Sequence, residues 1–327
     1  MENESNEKKL SIVITTYNRK APLLEQLRSI ECQGHFDEYN IIVSDNNSDY
    51  DVKQWLKDSL SPAFFDIIDV ISRPYNIGGD ANITFSFQLP STNWMWLLSD
   101  DDITEPNSIE TVLTDIRRHN EDNICWIKYS IAGPYKANDN VVIDRISEFF
   151  RSYSNGHISG EMYFMSNNVY RLEHLRPYFA DVCAYNDTCM SQVLLPLLAV
   201  KNDGRAIELR SEPLTNYVMG GITYSYIYAY LRFGNLIYVK NLSLDKEELR
   251  AFKELTFFSP RALVITLASV EPTHLRWEYF KKIFVSHYNL ISFKALLLSI
   301  YYIVMSLIGA RRFLNFRGRL LAKRSQK

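Results

Sequence analysis

Trp94-Met95-Trp96-Leu97-Leu98-Ser99-Asp100-Asp101-Asp102 is an apolar run that ends abruptly in three adjacent aspartates. An apolar run of this length reads as a buried strand. Like charges this close repel one another. A strand ending in them makes sense if a cation, or a ligand bridged by one, sits there. Carboxylate oxygens are hard ligands suited to Mg²⁺ or Mn²⁺, and those ions suit phosphates. Open α/β sheets bind ligands at the carboxyl ends of their strands. The triplet therefore reads as a metal–diphosphate site. A second reading is a solvated acidic turn capping the next helix, with Glu105 and Pro106 in its first turn.

The residues before the triplet repeat one theme. Leu10 to Thr15 is a β-branched run, followed by the loop Thr16-Tyr17-Asn18-Arg19. Residues 21–33 carry Leu23, Leu24, Leu27 and Ile30 at helical spacing. Tyr39 to Val43 is a second strand, ending in Ser44-Asp45-Asn46-Asn47-Ser48-Asp49. A helix around 51–59 and a strand around 66–72 come next. Asn76-Ile77-Gly78-Gly79-Asp80 is then a glycine turn into a helix over 81–88. Strand–loop–helix alternation predicts a mostly parallel, Rossmann-like α/β sheet flanked by helices. The polar clusters after Thr15, Val43 and Leu98 should then meet in space. Beyond residue 122 the pattern is mixed. Ile124 to Tyr129 and Gly160 to Met165 read as strands, 186–200 as a helix, and 226–256 as mainly helical. This predicts a catalytic domain over 1–225, halved into 10–120 and 121–225, and a helical C-terminal region over 226–327.

Bulk properties narrow the class. The chain has 327 residues, 46% hydrophobic and 23% charged, which are globular values. A net charge of −2 argues against a general nucleic-acid binder. Cys32, Cys125, Cys183 and Cys189 match no zinc spacing, and each reads as a small buried or half-buried thiol. Met1 to Lys9 is polar and charged, unlike a secretory signal, so a cytoplasmic setting is expected. The 21 Tyr and 18 Phe serve sugar stacking and core filling equally well.

Ala295 to Ala310 is an uncharged run of 16 residues, below the roughly 20 that span a bilayer. Arg311, Arg312, Arg317, Arg319, Lys323, Arg324 and Lys327 follow, interleaved with Phe313, Phe316, Leu320 and Leu321. Such a segment suits the anionic surface of a cytoplasmic leaflet, lying on it rather than crossing it. A packed helix with a solvated basic tail is the other reading.

Four stretches together resemble the family 2 glycosyltransferases of GT-A fold. They are Ser11-Ile-Val-Ile-Thr-Thr-Tyr-Asn18, Ile41-Ile-Val-Ser-Asp45-Asn-Asn-Ser48, Asn76-Ile-Gly78 and Leu97-Leu-Ser-Asp-Asp101-Asp-Ile103. The resemblance extends to abequosyl- and rhamnosyltransferase-like members acting in bacterial surface-polysaccharide (O-antigen or capsule) assembly. It implies a metal-dependent, inverting transfer from a UDP-, dTDP- or CDP-linked sugar to a glycan, free or lipid-linked, at the inner face of the cell membrane. By position, Thr15 and Tyr17 would line the base pocket. Asp45 and Asn46 would read the base or ribose, and Asp100 would touch the ribose. Asp101 would ligate Mn²⁺ or Mg²⁺, and Asp102 would share the ion or support it. Ser99 departs from the family, which often has an aspartate there. Asn46 stands where many uridine users carry a second aspartate. An amide donor suits cytosine N3, an acceptor, so Asn46 points to a cytidine donor; an amide can also turn its oxygen inward.

Inverting transfer needs a base for the acceptor hydroxyl. The resemblance implies an aspartate, commonly after a glutamate, near a helix start. Tyr185-Asn186-Asp187-Thr188 is the match, with Asn186 replacing the glutamate. Asp187 is thus the candidate base, with an N-terminal helix cap as its other reading and Asp181 as competitor. Gly220 to Ser225 reads equally as a loop closing over the diphosphate or as a turn. His157 and His174 read as loop or surface histidines. Ser166-Asn167-Asn168 reads as acceptor-facing or as a plain turn. Two other functions fit the outline. A sugar-nucleotide nucleotidyltransferase would open with a glycine-rich loop, which Thr16-Tyr17-Asn18-Arg19 is not. A non-catalytic nucleotide- or glycan-binding protein would lack the metal aspartate or the base.

Overall fold

A computed structural model of the chain describes residues 8–119, 122–131, 140–154, 160–188, 190–216, 232–255, 258–268, 270 and 275–308. His157, Cys189, Gly220 to Ser225 and the basic stretch from Arg311 lie outside them.

Strands β1 (Leu10–Thr16), β2 (Tyr39–Asp45), β3 (Ile68–Ser72) and β4 (Trp94–Ser99) form the parallel half of an eight-stranded sheet. The other half is β6 (Ile124–Ser130), β7 (Val141–Ile143), β8 (Asn168–Arg171) and β9 (Ala206–Pro213). The spatial order is β3-β2-β1-β4-β8-β6-β9-β7. β8 runs antiparallel to both β4 and β6, and β7 antiparallel to β9. The short strands β5 (Ile103–Thr104) and β10 (Thr215–Asn216) pair separately.

Alternation along each strand builds two cores. Ile12, Ile14, Ile41, Val43, Trp96 and Leu98 point to one face. There they meet Leu23, Leu27 and Ile30 of α1 (Lys20–Glu31), Val52 and Leu56 of α2 (Val52–Ser59), and Val112 and Ile116 of a helix over Ser108–Arg118. Val13, Ile42, Met95 and Leu97 point to the other face. A short helix over Pro62–Phe65 (α3) precedes β3, and α4 (Gly79–Ser86) precedes β4. The helix over Ser108–Arg118 is α5, and α6 (Ile146–Ser152) follows β7.

The parallel half matches the sequence expectation closely; the half beyond residue 122 corrects it. Gly160 to Met165 is not a strand: Gly160–Tyr163 forms a helical turn, α7, and the strand is β8, farther along. Glu161 is buried and accepts hydrogen bonds from Ser130 Oγ (3.3 Å) and the Ile131 amide (3.2 Å). Those bonds fasten the segment beneath the end of β6 instead of in the sheet. After β8 come α8 (Leu172–Leu175) and α9 (Phe179–Ala184). The helix expected over 186–200 divides into a 3₁₀ turn, Asn186–Thr188, and α10 (Ser191–Asp203). His174 is buried rather than on the surface. Of the described cysteines, Cys125 is buried, whereas Cys32 and Cys183 are exposed.

The C-terminal region is helical: α11 (Lys246–Lys253), α12 (Pro260–Ala268), α13 (Arg276–His287) and α14 (Phe293–Ile308). It is joined to the second core through Phe233, Phe252 and Phe258, whose rings meet at 5.0–5.9 Å. Gly234 admits the buried His287 of α13; a Cβ there would lie 2.5 Å from the imidazole. Ala295, Tyr302 and Ile303 of α14 are buried, while Phe293, Leu297, Tyr301 and Val304 form an exposed stripe on the same helix. Among the described residues no helix is long and apolar enough to cross a membrane.

Candidate active site

Parallel register sets the site. Thr15 stands level with Ser44 on one side and Ser99 on the other, and Thr16 is level with Asp45. The carboxyl ends of β2, β1 and β4 therefore lie in one row, where the sequence expected its polar clusters to meet. The acidic triplet does not cap a helix. β5 follows it, and α5 begins only at Ser108 with Asn107 at its N-cap.

The three aspartates diverge. Asp100 is 4% exposed and accepts from Thr16 Oγ1 at 2.6 Å. Burial pushes its carboxyl up to about 6, opposed by the Thr16 hydroxyl and Arg19. Asp101 is half-buried, bonded by Ser99 Oγ and by Arg19 Nη1. The same Arg19 nitrogen lies 3.3 Å from Asp100 Oδ1. Asp102 turns inward to accept from Ser166 Oγ. Burial pushes its carboxyl up to about 7, opposed by that hydroxyl and reinforced by the neighbouring aspartates.

Ser166 also accepts from the Ser99 amide at 2.9 Å, so it ties the end of β4 to the segment before β8. That segment is rigidly held. Asn167 donates to Ser130 O (2.6 Å) and accepts from Thr215 Oγ1 (3.0 Å). Asn168 Oδ1 accepts from Trp126 Nε1 and from the buried Lys128 ammonium, at 3.0 and 2.9 Å. All three residues of 166–168 are fully buried. They form the wall behind Asp102.

On β2, Asp45 is 2% exposed and accepts from the Ser48 amide, closing the turn after the strand. The Asn46 amide N–H bonds Thr16 O at 2.9 Å, beside Tyr17, whose ring is 44% exposed. Asn46 Oδ1 accepts from the Ile77 amide (3.0 Å) and its Nδ2 donates to Asn76 Oδ1 (2.9 Å). Asn76 Oδ1 also accepts from the Gly78 amide at 2.8 Å. Two backbone N–H groups thus fix which way both amides face. Gly78 adopts φ +85°, a left-handed turn that leads into α4.

Asp187 lies in the exposed 3₁₀ turn and accepts from Asn235 Nδ2 at 3.2 Å. Because α10 starts at Ser191 with Met190 at its N-cap, Asp187 does not cap it. The turn is attached to the parallel half by Asn186, whose Oδ1 accepts from Thr84 Oγ1 of α4 at 2.6 Å.

The residues can hold a divalent ion, with a limited share of its ligands. Among the described residues no three of His, Cys, Asp and Glu converge on one point. Mg²⁺-type sites need only one or two carboxylates when phosphates and water supply the rest. Asp101 is the most accessible of the three, with Asp100 beside it.

Sequence reasoning passed over Thr16, Arg19 and Arg73, and read Ser166 as acceptor-facing or part of a plain turn, not as the partner of Asp102. Arg73 follows β3 and donates its Nε to Asn82 Oδ1 at 2.7 Å. Arg19 carried a signal, since it is the first cation after β1. Ser166 carried none, because its contact with Asp102 spans 64 residues.

Comparison with known proteins bears on the family and the fold. The family model described as glycosyl transferase family 2 matches residues 11–179. Abequosyltransferase RfbV of Salmonella typhimurium is 26% identical over 288 residues, covering 79% of this chain and 83% of its own. The crystal structure of S. aureus TarS 1-349 superposes with a TM-score of 0.54 at 15% identity, over 86% of this chain and 90% of that one. The same protein in complex with UDP-GlcNAc gives 0.54 at 14% identity, with the same coverage. The TarS likeness establishes the shared GT-A architecture. The chain is a glycosyltransferase and belongs to glycosyl transferase family 2.

Proposed function

We propose that this enzyme is a divalent-metal-dependent, inverting glycosyltransferase of cell-surface polysaccharide assembly. It takes sugar from a nucleoside diphosphate donor and delivers it to a glycan, in lipid-linked form. The observation that carries this reading is the row of strand ends: Tyr17, Asn46 and Asp101 follow directly after three adjacent strands, with Asp101 the most accessible of the three aspartates. The TarS complexes with UDP and with UDP-GlcNAc support a nucleotide-sugar donor.

Tyr17 offers its exposed ring as a stacking platform for the base. Thr15 lines the same pocket, and Asp45 and Asp100 face the ribose. Asp101, with Asp102 behind it, would hold the ion. A bound Mn²⁺ or Mg²⁺ would neutralise charge on the leaving diphosphate. Asp187 Oδ1 takes the proton of the acceptor hydroxyl as that oxygen attacks the anomeric carbon. The Asn235 amide orients the carboxylate through Oδ2.

Asn46 favours a cytidine donor. Its Oδ1 accepts from the Ile77 N–H and one Nδ2 hydrogen goes to Asn76, which fixes the amide's orientation and leaves the second Nδ2–H as the donor for a base. Cytosine N3 accepts such a donor, whereas uracil N3–H opposes it. Metal-dependent hydrolysis across a panel of UDP-, dTDP- and CDP-sugars tests donor and base together. Equal or faster turnover of the UDP-sugars removes the cytidine assignment.

Membrane attachment is the second element of the reading. α14 exposes Phe293, Leu297, Tyr301 and Val304, between 44% and 73% each, spaced to form one stripe. Seven cationic and no acidic residues follow over 311–327. A large apolar stripe beside concentrated positive charge suits an anionic leaflet, and a helix on that surface brings the site to a lipid-linked acceptor.

A further inference from the structure

Arg19 sits where a cation is required. It is the residue before α1, and its Nη1 bonds Asp101 Oδ2 and approaches Asp100 Oδ1 to 3.3 Å. Among the described residues it is the one cation paired with either carboxylate. The other Asp101 oxygen is taken by the Ser99 hydroxyl. A divalent ion ligated by Asp101 would therefore share an oxygen with Arg19 or Ser99, bringing its charge within a few ångströms of the guanidinium. The hydroxyl can turn and remain as an acceptor near the ion, but the guanidinium has no lone pair to offer and repels it.

We propose that Arg19 is an exchangeable counter-cation. It neutralises Asp100 and Asp101 when no metal is bound, leaves Asp101 when a divalent ion enters, and then pairs with the donor's diphosphate. This rests on the metal-dependent reading above. The side chain is suited to exchange because it is a third exposed and has four rotatable bonds to swing through. A guanidinium recognises phosphate oxygens bidentately, so its new position is as specific as the old one. Arg19 is thus a positioning residue with two opposed effects: it weakens metal binding and strengthens nucleotide binding. A role limited to holding the loop would move both in the same direction.

The test is calorimetric titration of Arg19→Gln and Arg19→Lys against wild type, first with Mn²⁺ alone and then with nucleoside diphosphate at saturating Mn²⁺. Arg19→Gln is expected to bind Mn²⁺ on the order of tenfold more tightly and the diphosphate on the order of tenfold more weakly. Arg19→Lys, which keeps the charge without the fork, should keep wild-type Mn²⁺ affinity and lose part of the diphosphate affinity. Far-UV circular dichroism establishes that each variant is folded. Unchanged or weaker Mn²⁺ binding in folded Arg19→Gln, with wild type binding the ion, overturns the exchange alone. Failure of both proteins to bind nucleoside diphosphate more tightly with Mn²⁺ than in EDTA overturns the metal-dependent reading and the exchange with it.

Discussion

Asp102→Asn should stabilise the metal-free enzyme at pH 8. Asp102 is 5% exposed, and burial raises its carboxyl from 3.8 to about 7. Between these values the folded protein holds a proton that the unfolded chain has released. Stability from this group is complete below about pH 4 and is lost as pH rises to about 7. Roughly three pH units at 1.36 kcal/mol each give about 4 kcal/mol as the upper bound. Part of the shift is repulsion from the neighbouring Asp100 and Asp101 carboxylates and is shared with them, so about half of that is expected. Asparagine copies the protonated acid: its oxygen still accepts from Ser166 Oγ, and it carries no charge at any pH. The assay is urea denaturation in EDTA from pH 4 to pH 8. Wild type should lose stability across that window, and Asp102→Asn should lose about 2 kcal/mol less. A variant less stable than wild type at pH 8, or with the same slope, would refute the assignment of Asp102 as a strained buried acid.

Asp187→Asn should lower transfer by roughly 10² to 10⁴ while leaving Mn²⁺-dependent nucleotide affinity unchanged, as expected for loss of a general base. Near-normal turnover in that variant excludes the role. Gly234→Ala forces a methyl group against the His287 ring and should cost about 1–3 kcal/mol in urea melts; a change below about 0.5 kcal/mol would mean that the ring moves freely aside. Leu297→Glu, on the exposed stripe of α14, should abolish cosedimentation with anionic vesicles without altering the melting temperature. Retained vesicle binding would remove that helix from the membrane reading.

The sequence made the donor half legible because its signals are local. β1, β2 and β4 are short apolar runs, each followed at once by its polar residues, and parallel register brings those residues level. The acceptor half resisted because its signals are long-range. Gly160 to Met165 has strand-forming residues, yet buried Glu161 is bonded to the end of β6, which fixes the segment as a turn of helix. Asp187 was singled out through the family resemblance, with a helix cap as its other reading, and only the structure separates it from that cap. Within the triplet, three identical side chains differ through partners far away: Thr16 for Asp100, Arg19 for Asp101, Ser166 for Asp102. Spacing alone carries no trace of those pairings.

The half-buried, arginine-paired carboxylate of Asp101 is the point on which metal-dependent donor binding turns. Thermal unfolding of wild type and Asp101→Ala, with and without nucleoside diphosphate and Mn²⁺, tests it most directly. Nucleotide binding to the native state alone should raise the wild-type melting temperature only when Mn²⁺ is present. Asp101→Ala should show no such rise under any combination. Equal nucleotide stabilisation of wild type in EDTA and in Mn²⁺, or full Mn²⁺-dependent stabilisation of Asp101→Ala, would contradict the account.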